Sequence, residues 1–330
     1  MSENNLSVTV SINTFNRPDA LFECLDSLSK QTFRDFDIIV VNGGNSKSVE
    51  DVSRKFNLPI RIVNQKRKGL VEARNLCWKE TQSDIVCIID DDLIVSQGWL
   101  KEIVGTFSSS KDIGGVTGPT LINEHLLESR DATSFVNKFS KGNFIWKLIG
   151  KFYLDFLLEG KVNEIGKIVT CGTFTLGSNY KDCLNLKNTI EVDYLEACCM
   201  CFRRRLIDKA GEFDYIYTGT SEWSEPDLSF KVKKLGYRLV FNPKAVAEHK
   251  VSQQGVFKAR TYAFERSVNF INFYFKNIKP NNLKKIIKFY SYLVFMNAYW
   301  IYKAFESGNL NWLSGLTGTC VGILRNIVNG

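Results

Sequence analysis

The sequence predicts an α/β fold: a doubly wound, mainly parallel sheet with helices on both faces, followed by a C-terminal helical extension. Strand-like and helix-like segments alternate through the first third of the chain, and three aspartates directly follow the apolar run at residues 85–89. Basic and aromatic residues dominate the last part of the chain. The 330 residues are 44% hydrophobic and 24% charged, which is typical of a folded protein and excludes fibrous or disordered classes.

The predicted elements follow one another as repeated βαβ units. Pro18 suits the first turn of the first helix, and Leu21, Cys24, Leu25 and Leu28 recur at helical spacing after it. Strands are predicted over residues 8–15, 35–44, 60–65 and 83–90, and helices over 17–31, 48–56, 69–82 and 98–107. Units of this length predict a parallel sheet that binds ligands at the C-terminal ends of its strands.

Asp90, Asp91 and Asp92 lie at such a strand end. Adjacent carboxylates repel one another unless a positive charge lies among them, so this position is predicted to receive a cation or a cationic group. The loop after the first strand reads TFNRPD and has no glycine, and the chain has no GxxxxGK[ST] sequence. The common dinucleotide-binding and P-loop sites are therefore disfavoured.

The N-terminal sequence lacks the pattern of a secretory signal, so a cytoplasmic location is expected. An odd number of cysteines, nine, agrees with a reducing compartment. Cys198, Cys199 and Cys201 are predicted to lie in a buried strand, whereas the alternative of a thiolate metal site lacks an evident second ligand pair.

The charge of the chain is unevenly distributed. Residues 231–330 contain 16 Lys and Arg against 3 Asp and Glu, whereas residues 1–230 contain 27 against 32. The basic residues alternate with aromatic and apolar runs that are shorter than the roughly 20 residues needed to cross a bilayer. This pattern favours an interfacial helix on an anionic membrane over nucleic-acid binding. A helix packed on the main core remains the alternative.

Several blocks then resemble family-2 glycosyltransferases of GT-A fold. They are VSINTFNRPDALFECLDSLSKQTFRDFDIIVVNGG, KGLVEARN, IIDDDLIV, VDYLEACCMCFRRRLIDKAGEFD and SEPDLSFKVKKLGYRLVFNPKAVAEH, in that order. The resemblance covers about residues 7–275 and implies a nucleotide-sugar-dependent, inverting enzyme. It implies a GT-A domain over residues 1–275, with donor binding in about 1–118 and the acceptor side in about 119–275. Residues 276–330 would then form the basic, aromatic extension.

By this resemblance the aspartates form a DxD motif that works with Mn2+ or Mg2+. Asp92 is expected to ligate the metal, and Asp90 to lie near the ribose or a metal-bound water. Asp91 is expected among the donor-binding residues, although its opposite direction on an extended backbone favours a structural role. His249 is expected near the metal or the diphosphate, with a surface histidine as the alternative.

The nucleotide is expected to contact residues from the first and second of these sequence blocks. The resemblance places Thr14, Asn16 and Arg17 near the base and phosphates, and Arg74 near the diphosphate or the base. Relatives commonly carry an acidic pair where this chain has Asn42 and two glycines. Because Asn both donates and accepts hydrogen bonds, Asn42 is still predicted to contact a base edge.

The catalytic base is predicted in the sequence TSEWSEPDLSF. Glu225 takes the position of the family's base, where Asp is common, and Asp227 is expected to orient the helix start; capping of that helix is the alternative role of Glu225. Glu222 is the reserve candidate. Trp223 is either a wall of the acceptor site or a buried core residue.

The predicted function is transfer of a sugar from a nucleotide-diphosphate sugar to a hydroxyl of a glycan acceptor, one linked to a lipid, in polysaccharide or glycoconjugate assembly. The predicted location is the cytoplasmic face of a membrane. Residues 120–190 are interpreted as a lid, a membrane-facing helix or plain core, and Ala197 replaces a family glycine. The alternatives are a non-catalytic glycan-binding or membrane scaffold protein and a sugar nucleotidyltransferase. The sequence leaves the oligomeric state open.

Overall fold

The computed structural model describes residues 6–123, 138–139, 141–251 and 262–328. The chain divides into two compact units. Unit 1 contains residues 1–122, 178–215 and 225–258, and unit 2 contains residues 123–177, 216–224 and 259–330. The division predicted at residue 275 remains a prediction, although the compact units follow different boundaries.

Unit 1 contains all the strands of the described chain. They are β1 (Val8–Thr14), β2 (Phe36–Asn42), β3 (Ile60–Asn64), β4 (Ile85–Asp90), β5 (Leu93–Val95), β6 (Ile113–Thr117), β7 (Thr120–Ile122), β8 (Ile190–Val192), β9 (Cys199–Arg203), β10 (Arg238–Phe241) and β11 (Ala247–His249). The first four fall inside the predicted strands. β1, β2 and β4 combine β-branched residues with a run of buried positions, whereas β3, at the edge of the sheet, is rich in β-branched residues but only partly buried.

The helices of this unit alternate with its strands. They are α1 (Pro18–Ser29), α2 (Ser46–Ser53), α3 (Leu70–Lys79), α4 (Trp99–Ser109), α6 (Arg204–Ala210) and α7 (Ser224–Lys234), and short 3₁₀ turns cover Gly177–Asn179 and Lys181–Asn185. Pro18 occupies the first turn of α1, as the sequence predicts. On α1, Leu21, Cys24, Leu25 and Leu28 are buried, so the predicted apolar face is the one that packs.

Eight strands form the main sheet in the order β3-β2-β1-β4-β9-β6-β10-β8. The neighbours among β1, β2, β3 and β4 pair parallel, and so do β6 and β10. β9 pairs antiparallel with β4 and β6, and β8 pairs antiparallel with β10. The predicted doubly wound, mainly parallel sheet flanked by helices is therefore confirmed. β5, β11 and β7 form a second, small sheet.

The core of unit 1 lies on the buried strands and the helices that cover them. Val10, Ile12, Ile38, Val40 and Ile89 belong to it and are almost fully buried. The cysteine-rich segment lies in β9 and next to it, and its thiols are free and buried, which confirms the predicted strand. Burial raises the pKa of Cys198 well above that of an ordinary thiol.

Unit 2 is helical. Its helices are α5 (Phe144–Lys151), which continues as a π-helix over Phe152–Leu157, α8 (Ala263–Phe273), which continues as a π-helix over Tyr274–Ile278, α9 (Leu283–Ser307) and α10 (Ser314–Val328), with a 3₁₀ turn at Leu310–Leu313. Gly318 and Gly322 of α10 allow it to pack closely on α8. A Cβ at Gly318 would lie 2.4 Å from the backbone oxygen of Phe264.

The C-terminal helices confirm the helical extension that the sequence predicts. α9 buries one face, which includes Phe289, Leu293, Met296 and Trp300, and exposes another. Across the described ranges, no helix combines the length and the apolarity needed to cross a membrane. Of the segment 120–190, which the sequence interprets as a lid, a membrane-facing helix or core, residues 124–137 and 140 lie outside the described residues.

Candidate active site

Three neighbouring parallel strands end at one edge of the main sheet, and each contributes a polar residue there. Thr14 ends β1, Asn42 ends β2 and Asp90 ends β4. Thr14 is in register with Asn42, and Asn13 with Asp90. The parallel pairing therefore gathers the predicted residues at the C-terminal edge of the sheet.

Arg17 lies among the aspartates that follow β4. Its guanidinium forms ion pairs with both Asp91 and Asp92, and its Nη1 is 3.1 Å from Oδ2 of Asp92. Thr14 Oγ1 donates a second hydrogen bond to Asp91, at 2.7 Å. Asp91 is thus held by Thr14 and Arg17 inside unit 1, which agrees with a structural role. Its predicted contact with the donor, and that of Arg17, stay predictions.

Burial and charge act in opposite directions on this cluster. Burial raises the pKa of Asp91 to about 7, although the nearby Arg17 charge lowers it. Burial also raises the pKa of Asp90, and the charge of Arg74 partly offsets the effect. For Arg17 burial lowers the pKa, but the charges of the three aspartates outweigh that effect and raise it. Arg17 is therefore the internal cation that makes adjacent carboxylates tolerable here.

His249 reaches the aspartates through the small sheet. β11 pairs antiparallel with β5, and this pairing places His249 opposite Leu93, the residue after Asp92. Its Nε2 lies 3.3 Å from Oδ1 of Asp92, and the backbone nitrogen of Lys250 donates to the Asp92 carbonyl at 2.9 Å. The structure therefore places the two predicted metal ligands side by side.

These two side chains are suitable donors for a divalent ion, because carboxylate oxygen and imidazole nitrogen both bind Mn2+ and Mg2+ accepts carboxylates. Within the part of the chain that the structure describes, no group of three or more His, Cys, Asp or Glu side chains is arranged to hold a metal. The donor set fits an ion that takes its other ligands from phosphates and water, as Mg2+ commonly does.

Arg74 of α3 and Glu225 of α7 form a buried ion pair. Their side chains are 2% and 6% exposed, respectively. The guanidinium carbon of Arg74 also lies 5.8 Å from the centre of the Phe213 ring. Arg74 therefore links the predicted base to the aspartate cluster, since its charge acts on both Glu225 and Asp90.

Glu225 and Asp227 lie in the first turn of α7, with three lysines in its last turn. This distribution suits the helix dipole, because carboxylates are stabilised at the N-terminus and cations at the C-terminus. Asp227 is buried, and Lys231 Nζ lies 3.5 Å from its Oδ2. The structure thus places Asp227 two residues after Glu225 in the same helical turn, and the roles of both residues remain predictions.

Asn16 and Asn42 support the turn after β2. Asn16 has a positive φ of 53°, and its Oδ1 accepts a hydrogen bond from the backbone of Asn45 at 2.8 Å. Asn42 Nδ2 donates to Asn64 at 2.8 Å, and its Oδ1 accepts from the backbone of Gly44 at 2.9 Å. These bonds give both residues a role in the turn, and their contact with a nucleotide stays a prediction.

Asn75 is a residue of this site that the sequence reasoning missed. Its amide forms two hydrogen bonds with the backbone of Phe213, of 3.0 and 2.9 Å. These bonds fix α3 to the segment whose aromatic ring faces Arg74. Asn75 directly follows Arg74 in the KGLVEARN block, so its place in that block is the signal that could have identified it.

Glu222 and Trp223 belong to unit 2. Glu222 accepts a hydrogen bond from Arg266 Nε at 2.8 Å. Trp223 is buried, and its ring stacks on Phe273 with 5.2 Å between centroids. These contacts support a core role for Trp223, which is one of the two roles that the sequence predicts for it.

Comparisons with known proteins bear on the family and the fold. Residues 9–171 match the sequence profile of glycosyl transferase family 2. An uncharacterized glycosyltransferase, YwdF of Bacillus subtilis, is 34% identical over 99 residues, which are 30% of this chain and 37% of that protein. The chondroitin synthase of Pasteurella multocida is 24% identical over 246 residues, which are 71% of this chain and 23% of that protein. The chain thus matches less than half of the length of these relatives.

Two solved structures share the fold. A mannosyltransferase of Pyrobaculum calidifontis, PcManGT, in complex with GDP-Man and Mn2+, has a TM-score of 0.54 at 16% identity, covering 98% of this chain and 87% of that one. GalNAc-T7 with UDP, GalNAc and Mn2+ has a TM-score of 0.54 at 14% identity, covering 83% and 51%. Residues 9–171 are therefore identified as a glycosyl transferase family 2 segment, and the chain has the GT-A fold.

Proposed function

We propose that the chain transfers a sugar from a nucleoside-diphosphate sugar to a hydroxyl group of a glycan acceptor, with inversion at the anomeric carbon. The observation that carries the proposal is the continuous polar cluster of unit 1, in which Glu225 pairs with Arg74 and Asp92 faces His249. The solved structures of the same fold contain nucleotides or nucleotide sugars, which supports a donor of this class.

In the proposed reaction the acceptor oxygen forms a bond to the anomeric carbon while the bond from that carbon to the diphosphate oxygen breaks. The bonding electrons leave with the diphosphate, and the acceptor proton passes to the carboxylate of Glu225. Glu225 is suited to this role because Arg74 supplies the positive charge that offsets its burial. Asp227, in the same first helical turn, would orient the start of the helix that carries the base.

Asp92 and His249 would hold a divalent ion, Mn2+ or Mg2+, and Asp90 would lie beside it. Such an ion, when bound, neutralises the charge that develops on the diphosphate. Arg74 would contact the same diphosphate, and its electrostatic interaction with Asp90 supports this role. Five further residues would either position the nucleotide or support the residues that position it: Thr14, Asn16, Arg17, Asn42 and Asp91.

The proposed acceptor is a lipid-linked glycan at the cytoplasmic face of an anionic membrane. The support is the basic, aromatic composition of the C-terminal part and the exposed apolar side chains of unit 2, among them Phe144, Ile145 and Phe305. Monomeric proteins rarely expose many large apolar residues together unless they bind a partner or a membrane.

The test is release of nucleoside diphosphate from a panel of UDP-, GDP-, dTDP- and CDP-sugars, measured with Mn2+ or Mg2+ and with a polyprenyl-diphosphate-linked glycan as acceptor. We expect one donor class to be consumed, and Glu225→Gln to lower the rate by about a hundredfold to ten-thousandfold. Glu222→Gln is the matched control and should retain the rate. Full activity of Glu225→Gln would refute the assigned base, and binding of glycan without turnover of any donor would favour the non-catalytic alternative.

A further inference from the structure

An open apolar groove runs through unit 2, between α5 with its π-helical continuation and α9. Its volume is about 950 Å³, which is at the upper end of ordinary ligand pockets. On α9 the groove is lined by one helical face: Ser291, Val294, Phe295, Ala298, Tyr299 and Tyr302. These positions follow the three- and four-residue spacing of neighbours on a helix surface.

The opposite wall has the same character. Trp146, Leu148, Ile149, Phe152 and Phe156 line it. The ring of Trp146 lies 5.4 Å from that of Tyr302. Phe156 is near Lys288, whose ammonium is 4.3 Å from the ring centre. The two helical segments are therefore antiparallel neighbours, and the groove extends from the Tyr302 end of α9 toward its N-terminal part.

The dimensions of the groove suit one hydrocarbon chain. Ser291 and Tyr302 are 11 positions apart, which corresponds to about 17 Å along the helix at a rise of 1.5 Å per residue. A single lipid leaflet contributes half of a hydrocarbon core that is about 30 Å thick. A lipid chain would therefore cover the length of the groove without leaving its apolar lining exposed to water.

Charge identifies the kind of lipid. Lys147 and Lys151 are exposed on α5, four residues apart and hence on one side of the helix, and Lys151 lines the groove. Within the described ranges neither lysine has an ion-pair partner. Asp155 is the acidic residue of the lining. Trp146, Tyr299 and Tyr302 add aromatic rings with polar atoms, a combination that is enriched at membrane interfaces.

We propose that this groove docks on an anionic phospholipid bilayer and takes one phospholipid hydrocarbon chain between α5 and α9, while Lys147 and Lys151 contact the phosphate headgroups. This inference rests on the membrane contact included in the proposed function and gives it a defined site. It does not depend on the sugar that is transferred or on the residues of unit 1.

The test is flotation of the full chain with vesicles of phosphatidylcholine alone and with vesicles that also contain phosphatidylglycerol. Leu148→Glu and Val294→Glu change the groove, and Leu324→Glu and Val328→Glu are matched controls on α10. The exposed fractions are 59% for Leu148 and 62% for Leu324, and 70% for Val294 and 80% for Val328. All four positions are exposed, so folding should be preserved, and thermal unfolding checks this.

We expect the wild-type chain and both controls to bind the anionic vesicles, and each groove variant to bind at least about tenfold more weakly, since each loses the transfer of a large apolar side chain out of water. Lys147→Ala and Lys151→Ala should each weaken binding to the anionic vesicles by about fivefold and leave binding to phosphatidylcholine unchanged. The proposal would be overturned if the groove and control variants lost vesicle binding equally. It would also be overturned if the wild-type chain bound neither kind of vesicle.

A second copy of the chain is the other occupant to be tested. Light scattering in lipid-free buffer measures the oligomeric state of the wild-type chain and of Leu148→Glu. A dimer that this substitution dissociates would overturn the proposal, whereas a monomer in both cases supports it. Nucleotide binding to the groove variants is measured in parallel. If it is retained while vesicle binding is lost, the two functions are separate, and failure of nucleotide binding in the wild-type chain would count against the transferase alone.

Discussion

Arg74 forms an ion pair with Glu225, and both side chains are almost completely buried. The pair joins the start of α7 to the middle of α3 at the polar edge of the main sheet. Removal of one partner from a buried ion pair leaves an uncompensated charge, which typically costs about 3–5 kcal/mol. The proposed base is therefore held by the same residue that is expected to meet the diphosphate.

Substitution of Arg74 should affect both folding and catalysis. We expect Arg74→Ala to lower the free energy of unfolding by about 3–5 kcal/mol, whereas Arg74→Lys keeps the charge and should cost less. Denaturant unfolding measures the first effect. If the role of Arg74 extends to the diphosphate, Arg74→Lys should also raise the KM for the donor more than it changes kcat. An unchanged KM in a folded Arg74→Lys protein would limit Arg74 to support of Glu225.

The hydrogen bond from Thr14 to Asp91 should stabilise unit 1. Thr14→Val removes the donor to a buried carboxylate that is 2.7 Å away and leaves the shape of the side chain similar. Because hydrogen bonds to charged groups contribute about 1.5–3 kcal/mol, we expect a loss of that size in the free energy of unfolding. Thr317→Val, at an exposed position of α10, is the control and should change stability by less than about 0.5 kcal/mol. Equal stability of the two variants would contradict this account of Asp91.

Close packing of α10 on α8 depends on Gly318. A Cβ at this position would meet the backbone of Phe264, which cannot rotate away. We expect Gly318→Ala to destabilise the chain by about 1–3 kcal/mol, as overpacked sites typically do. Gly105→Ala is the control, because nothing beyond the neighbouring residues and backbone of α4 itself lies within 4 Å of the added Cβ, and it should stabilise the chain by about 0.5–1 kcal/mol. Thermal unfolding of both variants tests the contrast.

Glu306 makes a small, pH-dependent contribution to the stability of unit 2. Burial raises its pKa, but Lys138, Lys303 and Tyr302 outweigh that effect and lower the pKa to about 2. A lowered pKa in the folded state means that the stabilisation is present above the ordinary carboxyl range and disappears as the pH falls toward about 2. We expect Glu306→Gln to destabilise the chain at pH 7 by less than about 1 kcal/mol, because the group is partly exposed. The difference from wild type should vanish near pH 2, and a difference that grows on acidification would contradict the assignment.

The polar edge of the sheet was predictable because β1, β2 and β4 are apolar runs that each end in a polar residue. That signal located the three aspartates, whereas Thr14 and Asn42 were expected at the site from the resemblance to the family. The position of Arg17 among the aspartates was not predictable, because it depends on how the loop after β1 folds back. The contact of His249 with Asp92 depends on the antiparallel pairing of β11 with β5, which joins segments about 155 residues apart in the sequence.

The helical part of the chain was less accessible to sequence reasoning. The sequence predicted either an interfacial helix or a helix packed on the core, and the apolar residues of α9 form both a buried face and a groove lining. Periodicity cannot separate these cases, since a residue that faces a groove and one that faces a core have the same helical spacing. The groove depends on the packing of α5 beside α9, and the spacing within one helix does not predict that packing.

We propose that the cluster of Asp92, His249, Arg74 and Glu225 is a donor-binding site that works with a divalent ion. Isothermal calorimetry of the full chain against UDP, GDP, dTDP and CDP, with and without Mn2+, tests it most directly, beside Asp92→Asn and the surface control Asp112→Asn. We predict that one nucleotide binds with Mn2+, that binding is lost without the ion or in Asp92→Asn, and that Asp112→Asn binds as the wild-type chain does. Nucleotide binding that is unaffected by Mn2+ and by Asp92→Asn, or no binding of any nucleotide, would contradict the claim.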